Sequence, residues 1–141
     1  MSLSDVRPFF RERLEALGFR EHEKPFLTNE IAANIADRSF HIETGLISSA
    51  AANQIVHEFD YPLTVRIYRV GYSNTINVYD SAINDADSIL EDFLDPTVRI
   101  GTLVKDIVPN TISLEVYDAS NVDTIILEMN FTAKLQLCFK K

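Results

Sequence analysis

A single cysteine, Cys138, excludes an internal disulfide and leaves no thiol cluster to hold a metal. Glycine is also scarce, at four in 141 residues, and none sits in a loop of the kind that cradles phosphate. No apolar run approaches the ~18 residues of a membrane-spanning helix. The opening "MSLSDVRPFF" lacks the basic region and apolar stretch of a secretory leader, so a protein made in the cytoplasm and kept off membranes is expected. Basic residues are also short, 13 Lys and Arg against 21 Asp and Glu, a net charge of −8. Affinity for a phosphate backbone comes mainly from Lys and Arg, so specific nucleic-acid binding is not expected.

What is present is ordinary globular material, 46% hydrophobic and 24% charged. The length suits one domain over residues 1–141, able to bury roughly two thirds of its unfolded surface. The acid is concentrated: "DSAINDADSILEDFLD", residues 80–95, carries Asp80, Asp85, Asp87, Glu91, Asp92 and Asp95 and no basic residue.

The strongest pattern lies at the end. In "TIILEMNFTAKLQLCFK" every odd position from Ile125 to Phe139 is apolar and nearly every even one polar, the period of one long half-buried strand. Upstream, Val6, Phe9, Phe10, Leu14 and Leu17 mark an amphipathic helix capped by Ser4 or Asp5. Gly18 and Phe19 complete the sequence of a Schellman stop. A further helical turn is expected from Thr28 or Asn29 through "EIAANIA", where Ala and Asn also suit a loop. "SFHIETG" and "YPLTVRIYRVGY" alternate as strands. The acidic helix is expected from Ser81 to Leu94 after a turn at "SNTINVYD", with Ile83, Ala86, Ile89, Leu90, Phe93 and Leu94 inward. "TVRIGTLVKDIVP" is ambiguous, and "NTISLEVYD" reads as a strand with Ile112, Leu114 and Val116 inward. The order α-β-β-α-β-β, with strands apolar on one face only, predicts an α+β fold. It would be a two-layer sandwich, a mostly antiparallel sheet with two helices on one face and a long C-terminal strand.

Catalytic and metal signals are weak. His22, His41 and His57 have no ligand spacing, and Asp85-x-Asp87 lacks the glycine and closing glutamate of a calcium loop, so neither metal nor cofactor is expected. His41 and Glu43 share a strand face and could be a base and its orienter, against the plainer reading of two solvated polar residues. No nucleophile motif occurs, and the chain is not expected to be an enzyme. Asp92 and Asp95, in a helix's last turn, oppose its dipole and so hint at a use for their charge. The polar face of the last strand carries few charges and includes Ile126 and Cys138, the composition of a subunit interface.

The running order of an N-terminal helix, "DRSFHIETG", a small-residue loop, "YPLTVRIYRVGY", a helix after "YDSAIND" and a closing "TIILEMNFTAKLQLCF" strand resembles the tail-terminator or tail-completion proteins of long-tailed bacteriophages over nearly the whole chain. The resemblance implies a structural virion protein, assembled in the host cytoplasm, that forms a ring of commonly six subunits. Such a ring ends the polymerisation of the tail tube and presents a surface to the head connector, while DNA passes through without specific binding. Another neck or head-closure ring protein, a non-viral acidic adaptor and a ligand-binding module are the alternatives. Within the tail reading, Asp85, Asp87, Glu91 and Asp92 are expected to form an acidic face toward the lumen or a partner. The stretch Leu46–Asp60 is expected to be mobile in the free chain and to order against the tube or a neighbour through Asn53, Gln54, Ile55, Val56 and His57. The competing reading is that it lengthens the flanking strands into a tall hairpin.

Overall fold

A computed structural model of the chain describes residues 2–22, 37–52, 56–71, 75–119 and 122–138. A helix α1 (Val6–Ala16) leads into β1 (Arg20–Glu21), β2 (Ser39–Thr44), β3 (Ser48–Ala52) and β4 (Val56–Gly71). Helix α2 (Thr75–Phe93) follows, then β5 (Val104–Ala119) and β6 (Val122–Cys138). The sheet runs β1-β2-β4-β6-β5, with β3 also on β4, and is antiparallel except for the two-residue pairing of β1 with β2. The α+β architecture expected from the strand alternation is the one observed, with both helices on one face.

The C-terminal strand is as long as its periodicity demands: β6 has 17 residues and pairs along its length with β4 on one side and β5 on the other. At ~3.3 Å per residue it spans on the order of 50 Å. Its odd residues Ile125 to Leu137 are buried under the helices. There Phe10 of α1, Phe93 of α2 and Phe131 of β6 form a chain of rings with centroids 5.1 and 5.2 Å apart. The stop of α1 is the expected Schellman motif, in which Phe19 N–H donates to the Leu14 carbonyl and Gly18 N–H to that of Glu15. Gly18 takes φ +94°, and a Cβ there would lie 2.7 Å from Nη2 of Arg38.

Three expectations need correction. Within Leu46–Asp60 the described residues Ser48–Ala52 are not a free loop, because as β3 they pair with His57–Asp60 of β4 and run on from β2 in the same direction, the arrangement of the competing hairpin reading. The break between β2 and β3 falls opposite Pro62, whose carbonyl accepts from Gly45 N–H. A strand residue's N–H and C=O point to the same side, so proline's missing donor sits where the partner strand is interrupted. The second correction is that α2 starts at Thr75, not near Ser81. Val78 and Ala82 pack on Ile125, and that burial overrides the poor helix propensity of the β-branched residues around them. Finally, the ambiguous segment divides: its first residues belong to the 3-10 turn Pro96–Arg99, and from Val104 it runs without a break in the strand into "NTISLEVYD" as the start of β5, with irregularities at Val104/Asp106 and Pro109/Thr111. The helical turn expected from Thr28 or Asn29 lies outside the described residues.

Candidate assembly surface

The face of the sheet away from the helices was the expected interface, and its polar side chains prove to be bonded to one another. Thr64 Oγ1 donates to Asn130 Oδ1 at 2.6 Å, and the Asn130 amide donates to Thr111 Oγ1 at 2.7 Å, a relay across β4, β6 and β5. Asn110 donates to Thr132 at 2.8 Å, and Lys134 pairs with Asp60 at 2.8 Å. Arg66 bridges Glu43, at 2.6 Å, and Glu128, at 3.5 Å. That hydrogen bond from Arg66 holds the Glu43 carboxyl below its ordinary value. His41, read as solvated, is buried, with Nδ1 3.3 Å from the His22 carbonyl and Nε2 3.8 Å from Glu43. A surface whose groups are mutually satisfied gains less from a partner than one whose groups are not.

The acidic helix does not present one acidic face. Asp85 points inward, 6% exposed, and receives both Nε and Nη2 of Arg69 at 2.6 Å from the helix side of β4. Asp92 is held by a bidentate contact from Arg13 of α1, with Nε at 2.9 Å. Asp95 caps the short 3-10 turn Pro96–Arg99, accepting from Thr97 N–H at 2.9 Å and Oγ1 at 2.8 Å. Those bonds lower its pKa. The charges that oppose the helix dipole are thus used within the molecule. Asp87 and Glu91 are exposed and, with Asp80, form a stripe on the solvent side. Drawing Asp85 inward rotates the helix, so Ile83 and Leu94, expected inside, are each 41% exposed.

Of the expected contact residues, Asn53, Gln54 and Ile55 lie outside the described residues. Val56 opens β4 opposite Cys138, and His57 is half-buried with its ring stacked on Phe59 at 6.4 Å. A shallow cleft of about 290 Å³ lies between Glu58, Asp60, Lys105 and Lys134, above Phe59 and Leu135. Lys134 is paired with Asp60 across it. Among the described residues no three His, Cys, Asp or Glu side chains are placed to hold a metal ion, and no helix is long and apolar enough to cross a membrane.

Among the described residues, β5 joins a sheet edge to an exposed apolar row. This strand closes the sheet at the end of its order, and α2 lies mainly over β6 and β4. Ile112 and Val116 stand on the helix side, opposite the buried Met129 and Ile125 of β6, yet remain 46% and 51% exposed. Leu114 between them is half-buried against Leu127. The two halves of the strand differ. Val104–Asn110 carries two irregularities and Pro109, devices that keep an edge from pairing, whereas Thr111–Ala119 pairs with β6 without a break. The regular half therefore combines an open backbone edge with an uncovered apolar row. Sequence reading assigned Ile112, Leu114 and Val116 to the correct face, but periodicity cannot say how far a helix reaches across a sheet. No family model matches this chain, and no curated protein does.

Proposed function

We propose that this chain is a structural subunit that acts by assembling with copies of itself into a ring. Following the likeness to tail-terminator proteins, the ring closes the end of a bacteriophage tail tube and meets the head connector. The observation that carries this reading is the regular half of β5, an open strand edge beside the exposed Ile112 and Val116. Rings form when a surface on one subunit meets a different surface on the next and the rotation closes. An apolar row beside a backbone edge gives such a contact both buried area and hydrogen bonds. The acidic balance of the chain suits a ring around DNA, since DNA passing through must not be gripped. Within it, the exposed stripe of Asp80, Asp87 and Glu91 is the part of the acidic helix free to face a lumen or a basic neighbour.

The test is negative-stain microscopy of the purified protein mixed with tail tubes. Rings on tube ends and a halt in tube growth support the reading. Tubes that lengthen unhindered beside free protein defeat it. An acidic adaptor is the second reading, favoured by the same exposed stripe. Saturable, salt-sensitive binding of a basic partner by a chain that never forms rings would favour it instead.

A further inference from the structure

The regular half of β5 is complementary to itself. In a continuous antiparallel sheet, residues directly opposite one another lie on the same face, which restricts the ways two copies can pair. When Leu114 lies opposite Leu114 of a second copy, Ile112 falls opposite Val116, and Ser113 falls opposite Glu115. The helix-side row is then apolar against apolar across the junction, and no carboxylate directly opposes another. The neighbouring registers are worse. Centring on Glu115 opposes two Glu115 carboxylates and sets Ile112 against Asp118. Centring on Ser113 sets Val116 against Asn110, within the irregularity that breaks the strand.

We propose that two copies of the free protein pair their β5 strands antiparallel about Leu114, and that this dimer occupies the edge on which the ring depends. The second half of the statement rests on the ring reading above. A two-fold pairing uses the same surface on both partners, whereas a cyclic ring uses different surfaces, so the two contacts at β5 exclude each other. The dimer protects an aggregation-prone edge until assembly displaces it.

Cysteine crosslinking tests the register. In a Cys138→Ser background, opposed residues would have Cα atoms ~4.5–5.5 Å apart, within disulfide reach. Leu114→Cys should form a covalent dimer under mild oxidation. Ile112→Cys and Val116→Cys should each stay uncrosslinked alone, because the two copies of either residue lie ~13 Å apart along the strand, yet should crosslink when mixed. Sedimentation of the unmodified chain at micromolar concentration guards against a poorly folded variant and should give a dimer. A monomer there, or equal crosslinking by all three single variants, overturns the pairing whatever becomes of the ring. With the pairing established, the oxidised Leu114→Cys dimer should fail to cap tail tubes, and reduction should restore capping. If the locked dimer caps tubes as well as the reduced protein, the regulatory half of the proposal falls and the ring contact lies elsewhere.

Discussion

Arg69 projects from the helix side of β4, where a lone guanidinium would be costly, and Asp85 turns inward to meet it with two hydrogen bonds of 2.6 Å. The Arg69 pKa is raised, the hydrogen bond it donates to Asp85 being the largest cause. Removing Asp85 leaves the half-buried Arg69 guanidinium without its hydrogen-bond partner. Asp85→Ala should therefore cost ~1–3 kcal/mol in urea unfolding, while Asp87→Ala, on the exposed stripe, should stay within ~0.5 kcal/mol. Equal losses would contradict this division of the acidic helix. Nothing in residues 80–95 distinguishes the two aspartates, because what separates them is a basic residue on another element. Glu43 offers a check by pH. Its folded pKa lies below the ordinary 4.5, chiefly through Arg66, so its contribution to stability is present above that value and lost as pH falls through the folded pKa. Glu43→Gln should lower stability at pH 7 by less than ~1 kcal/mol, and the gap from the native chain should close as pH falls through the lowered folded pKa of Glu43. A gap independent of pH would mean the pair is not ionic.

At the scale of the elements, patterns carried by contiguous residues are legible in the sequence. The alternation of Ile125 to Leu137 located β6, and Leu14, Gly18 and Phe19 located the end of α1. Elements decided by distant partners are not. The run "SSAAA" of β3 is a strand because His57–Asp60 of β4 offers it a ladder, and α2 gains its first turn because Val78 has Ile125 to cover. The capping of the 3-10 turn by Asp95, which accepts from Thr97 N–H, and the pairing of Asp92 with Arg13 are likewise invisible to periodicity. Two outcomes follow. Gly18→Ala, at φ +94° and against Arg38, should destabilise the chain by ~1 kcal/mol or more, read from the urea midpoint. Replacing Ser48–Gln54 by a short Gly-Ser turn should be more costly than a loop deletion, because it removes the β3 ladder and bares that side of β4. Melting unchanged by that replacement would show β3 to contribute nothing.

For the whole molecule, the two faces of the sheet differ in what they leave unsatisfied. The polar face is knitted by Thr64, Asn130, Thr111, Arg66 and Lys134, while the apolar face extends beyond the helices at Ile112 and Val116. Both are substantially exposed, so Ile112→Glu with Val116→Glu should leave the fold intact by circular dichroism. Charge on that row should abolish self-association. Thr132→Glu, on the knitted face, should assemble normally, and the opposite ranking would return the interface to the polar face. The central claim, that the regular half of β5 is where this protein meets its partner, is tested most directly by amide hydrogen exchange. The assembled wild type should be compared with the Ile112→Glu, Val116→Glu double variant. Edge-facing amides of Thr111–Ala119 should exchange slowly in the assembly and at least tenfold faster in the double variant, with the amides of β6 alike in both. Edge amides of β5 that exchange as rapidly in the assembly as in the variant would contradict the account.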